Sequence, residues 1–368
     1  MPASTHARNR RRRPPLPPSP PPEEGSLEDR FPVARDVARL AGVSTSTVSR
    51  VFNGTAAVRA DKRDAVLKAA EELGFVANGA ARALSMRRFM AVGAVVPNIE
   101  NEGFLRTLSS FQERLRRDGY TLILTNAGYD LDNEWQEASF LLERGIDGLL
   151  LVGDLHRPAL LERIARQRIP TVQTFTLSAA RPCVGFDNLA AAGRAAQYLL
   201  DLGHRRIGVI TGIRKDNDRS GARVAGIVHA LAARGLTINP AHDVETSHGI
   251  AAGRDALRQI LSQSTPPPTA IICGTDQLGF GVMIEAQSRG VAIPGDLSLI
   301  GFNDADYAAF LTPALTTIRI HAAEIGQVAA EHLLARMAGR SVVRLTEIAA
   351  ELIVRGSTAP PRPSMDNA

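Results

Sequence analysis

The segment 37–53 limits what this chain can fold into more than any other, because its pattern predicts two short amphipathic helices joined by a tight turn. Apolar residues recur at helical spacing on the inward faces of both helices: Val37, Ala38, Ala41, Val48, Val51 and Phe52. Gly42 stands at the turn, where glycine accepts a positive φ without steric cost. Ser44 is a good N-cap for the second helix. The segment therefore predicts a helix-turn-helix, whose second helix can enter the major groove of DNA.

The outward face of the predicted second helix carries short hydroxyl side chains and one cation. Such groups suit base edges and phosphates. Thr45, Ser46 and Arg50 are the candidates for base reading, and Arg50 is the strongest because a single hydroxyl discriminates bases weakly. Thr47 and Ser49 are expected to meet phosphates. The alternative for Thr45 and Ser46 is that they only cap the helix.

These residues also resemble the lactose-repressor (LacI/GalR) family. The chain reads D-V-A-x-x-A-G-V-S-x-x-T-V-S-R-V-x-N from Asp36, then E-L-G-F, then N-x-x-A-R-x-L. The resemblance continues to about Ser357. It implies an N-terminal all-α helix-turn-helix DNA-binding domain followed by an α/β domain of the periplasmic-binding-protein-like fold, which has two Rossmann-like lobes.

The resemblance implies further DNA contacts. Asn53 meets phosphate in family members, and Arg59 stands where the family usually has a serine that caps the third helix. Asp61 is then the expected cap, and Arg59 a phosphate contact. Four linker positions match those that fold on the operator in the family: Asn78, Ala81, Arg82 and Leu84. Leu84 is the expected minor-groove wedge, one from each subunit, which implies a homodimer and a pseudo-palindromic operator. If the resemblance is left aside, the alternative is that Leu84 is simply a packed leucine in a linker.

Charge and cysteine content indicate where such a chain works. The net charge is +5, which suits a polyanionic partner. The tail 1–30 is Arg-rich, then Pro-rich, then acidic, and is expected to be disordered; its arginines either attract DNA or are dispensable. Cys183 and Cys273 are the only cysteines, which argues for a reducing cytoplasm. Neither a signal peptide nor a long apolar span is visible, so no membrane contact is expected.

From Met90 onward, short apolar runs alternate with amphipathic helical stretches, which predicts parallel βαβ units. Seven strands are expected: Ala91–Val96, Thr121–Thr125, Gly148–Val152, Thr171–Thr174, Arg206–Thr211, Ala270–Cys273 and Leu297–Gly301. The length favours two doubly wound sheets over one. The expected boundaries are 1–30 for the disordered tail, 31–76 for the helix-turn-helix domain with a third helix over 61–73, 77–88 for the hinge, 89–357 for the effector-binding and dimerisation domain, and 358–368 for a second disordered tail. The first lobe of the effector-binding domain is expected over about 89–188 plus 318–345, and its second lobe over about 189–317 plus 346–357.

The resemblance places a small-molecule effector in the cleft between the lobes, beyond the carboxyl ends of the strands. Ten residues stand near or at family effector positions: Asn101, Phe104, Phe175, Arg223, His248, Thr275, Asp276, Gln277, Asn303 and Asp304. Arg223 lies in the family's R-x-x-G, whose arginine binds hydroxyls or carboxylates, and His248 stands where relatives stack an aromatic ring. The alternatives are a structural salt bridge for Arg223 and an exposed loop position for His248.

Two departures from sugar-responsive members favour an anionic effector. Phe175 and Asn303 stand where those members often have acidic residues, so a carboxylate that pairs with Arg223, and with His248, meets less repulsion. The segments 171–188 and 145–150 resemble the gluconate-repressor branch. A sugar acid such as gluconate is therefore expected, with a neutral sugar, a nucleoside or a purine as alternatives.

Three classes of protein compete for this sequence: a ligand-responsive regulator, a solute-binding protein of a transporter and a Rossmann-type enzyme. A solute-binding protein needs an export signal and has no use for residues 33–88. An enzyme of this kind needs a phosphate-binding glycine loop, and the segment 279–281 lacks its third glycine. The histidines lack metal-ligand spacing. The sequence therefore predicts a transcriptional regulator, commonly a repressor, with no catalytic residue, metal or cofactor.

Overall fold

The computed structural model describes residues 31–53, 57–76 and 88–362, and the chain divides into two compact units, 1–86 and 87–368. The predicted tail 1–30 and the hinge positions Asn78, Ala81, Arg82 and Leu84 lie outside the described residues. Among the described residues, no helix is long and apolar enough to cross a membrane.

The first unit is the predicted helix-turn-helix with a third helix. Its helices are α1 (Ala34–Leu40), α2 (Thr45–Asn53) and α3 (Ala60–Glu72). Gly42 adopts a φ of 64° at the turn, and the Thr47 N–H donates to Ser44 Oγ at 3.2 Å, so both predictions for the turn are confirmed. Small apolar side chains from all three helices form the core: Val37, Ala38, Val48, Val66, Ala69 and Ala70.

The start of α3 differs from the prediction. Arg59 occupies the N-cap position, and its side chain accepts no capping hydrogen bond, because a guanidinium is a donor only. Asp61 does not cap the helix. It lies inside the first turn, where its charge complements the helix dipole, and it accepts hydrogen bonds from Arg59 Nε at 3.2 Å and Nη2 at 3.1 Å.

The second unit contains two six-stranded sheets, one in each lobe. The first sheet consists of β1 (Ala91–Val96), β2 (Thr121–Asn126), β3 (Gly148–Val152), β4 (Thr171–Thr174), β5 (Cys183–Gly185) and β11 (Leu345–Glu347). Its order is β11-β5-β4-β3-β1-β2, and every pair is parallel. Helices α4 (Glu102–Arg116), α5 (Leu131–Arg144), α6 (Pro158–Gln167) and α11 (Ala322–Met337) belong to this lobe.

The second sheet consists of β6 (Ile207–Thr211), β7 (Asp243–Glu245), β8 (Ala270–Cys273), β9 (Ser298–Asn303), β10 (Thr316–Arg319) and β12 (Glu351–Ile353). Its order is β12-β10-β9-β8-β6-β7, and only the β10–β12 pair is antiparallel. Helices α7 (Asn188–Asp201), α8 (Asp218–Ala232), α9 (Ile250–Gln263) and α10 (Asp276–Ser288) pack in this lobe. The predicted fold class, two doubly wound lobes, is confirmed.

All seven predicted strands are present: four have the predicted bounds, and the ends of the other three differ by one or two residues. Five further strands escaped the prediction: β5, β7, β10, β11 and β12. Four of them have three residues, and the four-residue strand β10 contains one apolar residue, so no hydrophobic pattern stands out.

The chain passes between the lobes three times: after β5, after β10, and between β11 and β12. The boundaries expected at 317/318 and 345/346 cut through β10 and β11, so these two divisions are wrong by a few residues. The reason is that pairing partners decide the lobe of a short strand: Leu345 pairs with Cys183 in the first sheet, whereas Arg319 pairs with Asn303 in the second.

Candidate functional site

The carboxyl ends of strands from both sheets surround a cavity of about 40 Å³. Seven of the ten predicted effector residues line it: Asn101, Phe104, Phe175, Arg223, His248, Thr275 and Asn303. The first three belong to the first lobe, and the other four to the second. This volume accommodates a few water molecules, so a sugar-sized ligand requires the lobes to separate from this arrangement.

Arg223 in helix α8 is the central cation of the cavity. Its Nε donates to Asn188 Oδ1 at 2.9 Å, and its Nη1 donates to the Gly274 carbonyl at 2.8 Å. The guanidinium also lies 3.7 Å from the centre of the Phe302 ring, a cation–π contact. None of these partners is a carboxylate, so Arg223 is not in the salt bridge that the sequence left as its alternative role.

Burial, and after it the nearby charge of Arg219, lowers the pKa of Arg223 to about 9. The side chain still carries its charge at neutral pH. A buried cation without a counter-ion gains most from an anion that enters the cavity. This electrostatic arrangement therefore favours an anionic ligand.

His248 stacks on Tyr129, with ring centres 4.6 Å apart and planes at 19°. Both ring nitrogens of His248 are buried and without a hydrogen-bond partner, so the alternative of an exposed loop position is wrong. Burial, and then the charges of Arg223 and Arg219, lower the pKa of His248. The ring is therefore neutral at pH 7, with one donor and one acceptor for a ligand.

Three predicted residues do not line the cavity. Asp276 is buried behind it, where it accepts hydrogen bonds from the Thr317 hydroxyl at 2.6 Å and the Ala305 N–H at 2.7 Å. Burial raises the pKa of Asp276 to about 6. Gln277 donates to the Glu100 carbonyl of the other lobe at 3.1 Å.

Asp304 is the third of these residues. It pairs with Arg319 and with Arg355, each at 2.7 Å. Its side chain is thereby turned away from the cavity and joins β10 to the segment after β12. All three positions follow strands, but strand ends alone do not tell which side chains face the ligand.

Six lining residues were missed from the sequence: Tyr129, Gly212, Asn217, Arg219, Ser220 and Gly274. Gly212 and Gly274 directly follow predicted strands β6 and β8, which was a usable signal. Arg219 stands four residues before Arg223, on the same face of α8. Nothing local marks Tyr129, which has a φ of 59° in the loop after β2.

Arg219 also belongs to a contact between the lobes, which we call the interlobe clasp: Val152, Gly153, Asp154, Asp218 and Arg219. Arg219 Nη1 donates to the Val152 carbonyl at 3.1 Å, and the Asp154 N–H donates to Asp218 Oδ2 at 2.9 Å. Gly153 has a φ of 89°, and a Cβ there would lie 1.9 Å from Arg219 Nη1. Only glycine permits this approach. A group that binds Arg219 in the cavity therefore acts directly on a contact that holds the lobes together.

In the first unit, the outward face of α2 is available to a partner. Thr45, Ser46, Ser49 and Arg50 are exposed, and Thr47 is half-buried. Capping is the role of Ser44, whose hydroxyl lies 2.8 Å from that of Ser46. Ser49 accepts a hydrogen bond from Asn53 Nδ2 at 3.0 Å, which aligns the two polar side chains along the helix.

Comparisons with known proteins identify both units. Residues 34–78 match the family of bacterial regulatory proteins described as the lacI family, and residues 196–358 match the periplasmic binding protein-like domain. The ribose operon repressor of Haemophilus influenzae is 33% identical over 305 residues, which cover 82% of this chain and 91% of the relative. The HTH-type transcriptional repressor PurR of Pectobacterium carotovorum is 34% identical over 336 residues, which cover 88% and 96%.

Solved structures are similar over most of this chain. The transcription regulator GntR from Chromobacterium violaceum is 29% identical, with a TM-score of 0.69 over 73% of this chain and 99% of the other. The lac repressor dimer bound to operator and an anti-inducer is 23% identical, with a TM-score of 0.77 over 90% and 100%. At 23% identity, the likeness to the lac repressor concerns the fold alone.

Proposed function

This chain belongs to the lacI family of bacterial regulatory proteins, and we propose that it is a repressor whose effector is a sugar acid such as gluconate. It is a DNA-binding transcriptional regulator controlled by a small molecule, as its relatives over most of their length are. The match at residues 34–78 sets aside the transport-protein alternative, and we propose that the chain catalyses no reaction.

The observation that carries the proposal is the charge of the cavity. Arg219 and Arg223 line it, and none of the described residues that line it is a carboxylate. Asp218 beside the cavity pairs with Arg219 at 2.7 Å, so Arg223 is the cation that most needs a counter-ion. Neutral sugars are commonly held by carboxylates, which accept hydroxyl protons, whereas a carboxylate ligand takes the fork of a guanidinium. A sugar acid places its carboxylate between the two arginines.

The remaining lining groups fit the polyol part of such a ligand. Amide and hydroxyl side chains offer donors and acceptors for its hydroxyl groups: Asn101, Asn217, Ser220, Thr275 and Asn303. Phe104 and Tyr129 offer faces for its C–H groups. A purine, the main alternative, would instead use the stacked rings of Tyr129 and His248.

The DNA half of the proposal assigns base reading to Thr45, Ser46 and Arg50. Phosphate contacts are assigned to Thr47, Ser49, Asn53 and Arg59. The pairing of Arg59 with Asp61 is exposed and therefore worth little, so it leaves Arg59 free to exchange partners. Asn78, Ala81, Arg82 and Leu84 are assigned to the minor groove. The protein would act in the cytoplasm as a homodimer on a pseudo-palindromic operator.

Operator binding tests both halves. Fluorescence anisotropy is measured with DNA from upstream of the gene, with and without gluconate, neutral sugars and purines. A salt-sensitive, sequence-specific complex that gluconate alters and neutral sugars do not is the expected result. Gluconate should change the operator affinity by roughly 5–150-fold, which is the usual range for coupling between an effector site and a second binding site. Specific binding that only a purine alters would keep the regulator and discard the sugar acid.

The Leu84→Ala variant tests the wedge separately. An apolar wedge compensates the cost of unstacking with extra contact, so its loss should weaken specific binding and leave gluconate binding unchanged. Equal operator affinity for the variant and the parent would remove Leu84 from the interface.

A further inference from the structure

A groove on the first lobe, separate from the effector cavity, is lined by five arginines: Arg168, Arg181, Arg336, Arg340 and Arg344. We call it the arginine groove. Its volume is about 660 Å³, compared with about 40 Å³ for the cavity, and it is an open surface feature. It lies where β4, β5 and β11 begin, which is the edge of the sheet opposite to the effector cavity.

Most of this charge is not balanced by protein carboxylates. Arg181 lies 3.6 Å from Asp154, and Arg336 donates to the Thr171 carbonyl. Within the part of the chain that the structure describes, Arg168, Arg340 and Arg344 form no ion pair, and no carboxylate lines the groove. All three are exposed, so each is available to an external anion.

Local structure explains only part of the cluster. Helices α6 and α11 both end at the groove, and a cation near a helix C-terminus is favourable. This accounts for Arg168 and Arg336 but not for Arg181 or Arg344, which precede strands β5 and β11. Folding therefore collects cations from four separate segments on one surface.

We propose that the arginine groove binds the phosphate backbone of DNA that flanks the operator. Five cations line one open groove of about 660 Å³, which fits a series of phosphates better than one small anion. The floor is apolar, with Leu161, Ile164 and Ile169, and such a floor carries the aliphatic stems of arginines while their charged ends reach outward. The polyanion that this protein already binds is DNA, so the groove extends an existing interaction.

The proposal predicts that affinity depends on the length of the DNA. Each phosphate neutralised releases counter-ions, so every contact steepens the slope of log affinity against log salt concentration by about 0.9. A long operator fragment should therefore bind more tightly than a short one, and with a steeper salt slope. A minimal operator, which lacks the flanking DNA, should bind with an affinity that does not depend on the groove.

The test compares two full-length variants on two DNA lengths. The groove variant carries Arg168→Ala, Arg340→Ala and Arg344→Ala. The control carries Arg205→Ala, Arg206→Ala and Arg234→Ala, three exposed arginines of the second lobe, and has the same charge. The DNA is one operator in a fragment of about 20 or about 60 base pairs, titrated by fluorescence anisotropy over a range of salt concentrations.

On the long fragment, the groove variant should bind roughly tenfold more weakly than the parent, and its salt slope should be shallower by about 3. The control should have the affinity and the salt slope of the parent. On the short fragment all three proteins should bind equally. Equal losses in both variants, or a loss on the short fragment, would overturn the proposal. Unchanged binding of the long fragment would also overturn it and would leave the groove to an acidic protein partner.

Discussion

Replacement of Arg223 by methionine should abolish the response to gluconate while it changes the stability of the protein little. A pKa lowered to about 9 by burial corresponds to a cost of up to about 5 kcal/mol for the charged side chain in the folded state. Its two hydrogen bonds, to Asn188 and to the Gly274 carbonyl, return about 1.5–3 kcal/mol each. These terms nearly cancel. Arg223→Met removes both the cost of burying the charge and the stabilisation from the hydrogen bonds, so the free energy of unfolding should change by less than about 2 kcal/mol.

Calorimetric unfolding and titration with gluconate measure the two effects on the same samples. Arg214→Met is the matched control, because Arg214 lies in the same lobe but pairs with Asp243 outside the cavity. Its hydrogen bonds with Asp243 raise the pKa of Arg214, so this arginine stabilises the fold. The control should therefore lose stability and keep its gluconate response. A loss of more than about 4 kcal/mol in Arg223→Met with an intact response would show that Arg223 is a structural residue, and the reasoning would fail.

Three further predictions concern the clasp, the core of the first unit and a buried carboxyl. Gly153→Ala places a Cβ 1.9 Å from Arg219 Nη1, so the clasp cannot close. Because a sugar-sized ligand requires the lobes to separate from this arrangement, and a hydrogen bond contributes about 0.5–1.5 kcal/mol, calorimetry should show gluconate affinity raised by up to roughly tenfold; unaltered affinity would contradict the clasp. Val66→Ala removes two buried methyl groups and should cost about 2 kcal/mol in the first unit, measured as lost operator binding at elevated temperature while gluconate binding persists. Burial raises the pKa of Asp276 to about 6, so the folded state holds its proton more tightly than the unfolded state. Its contribution to stability is therefore largest near pH 4 and is lost as the pH rises through 6. Between pH 4 and pH 7 the stability of the parent should fall by about 3 kcal/mol relative to Asp276→Asn, and parallel urea-unfolding profiles would refute this.

Local chemistry explains what could be predicted from the sequence. The helix-turn-helix depends on residues within one segment: Gly42 adopts the positive φ, and Ser44 caps α2. Most of the seven predicted strands were visible because they contain a short apolar run with polar or turn residues on either side. Arg223 and Thr275 were recognisable near the cavity because they stand at matching positions of a family and because ligands collect beyond strand ends.

Contacts between distant segments decided the rest. Strands of three residues take their lobe from their pairing partners, which is why β11 joins the first sheet. Asp276 and Asp304 follow strands as ligand residues do, yet hydrogen bonds and ion pairs from other elements turn them inward. The stack of His248 on Tyr129 joins the two lobes across a long stretch of sequence. The arginine groove likewise has no local signature, because packing alone brings residues as distant as 168 and 344 to one surface.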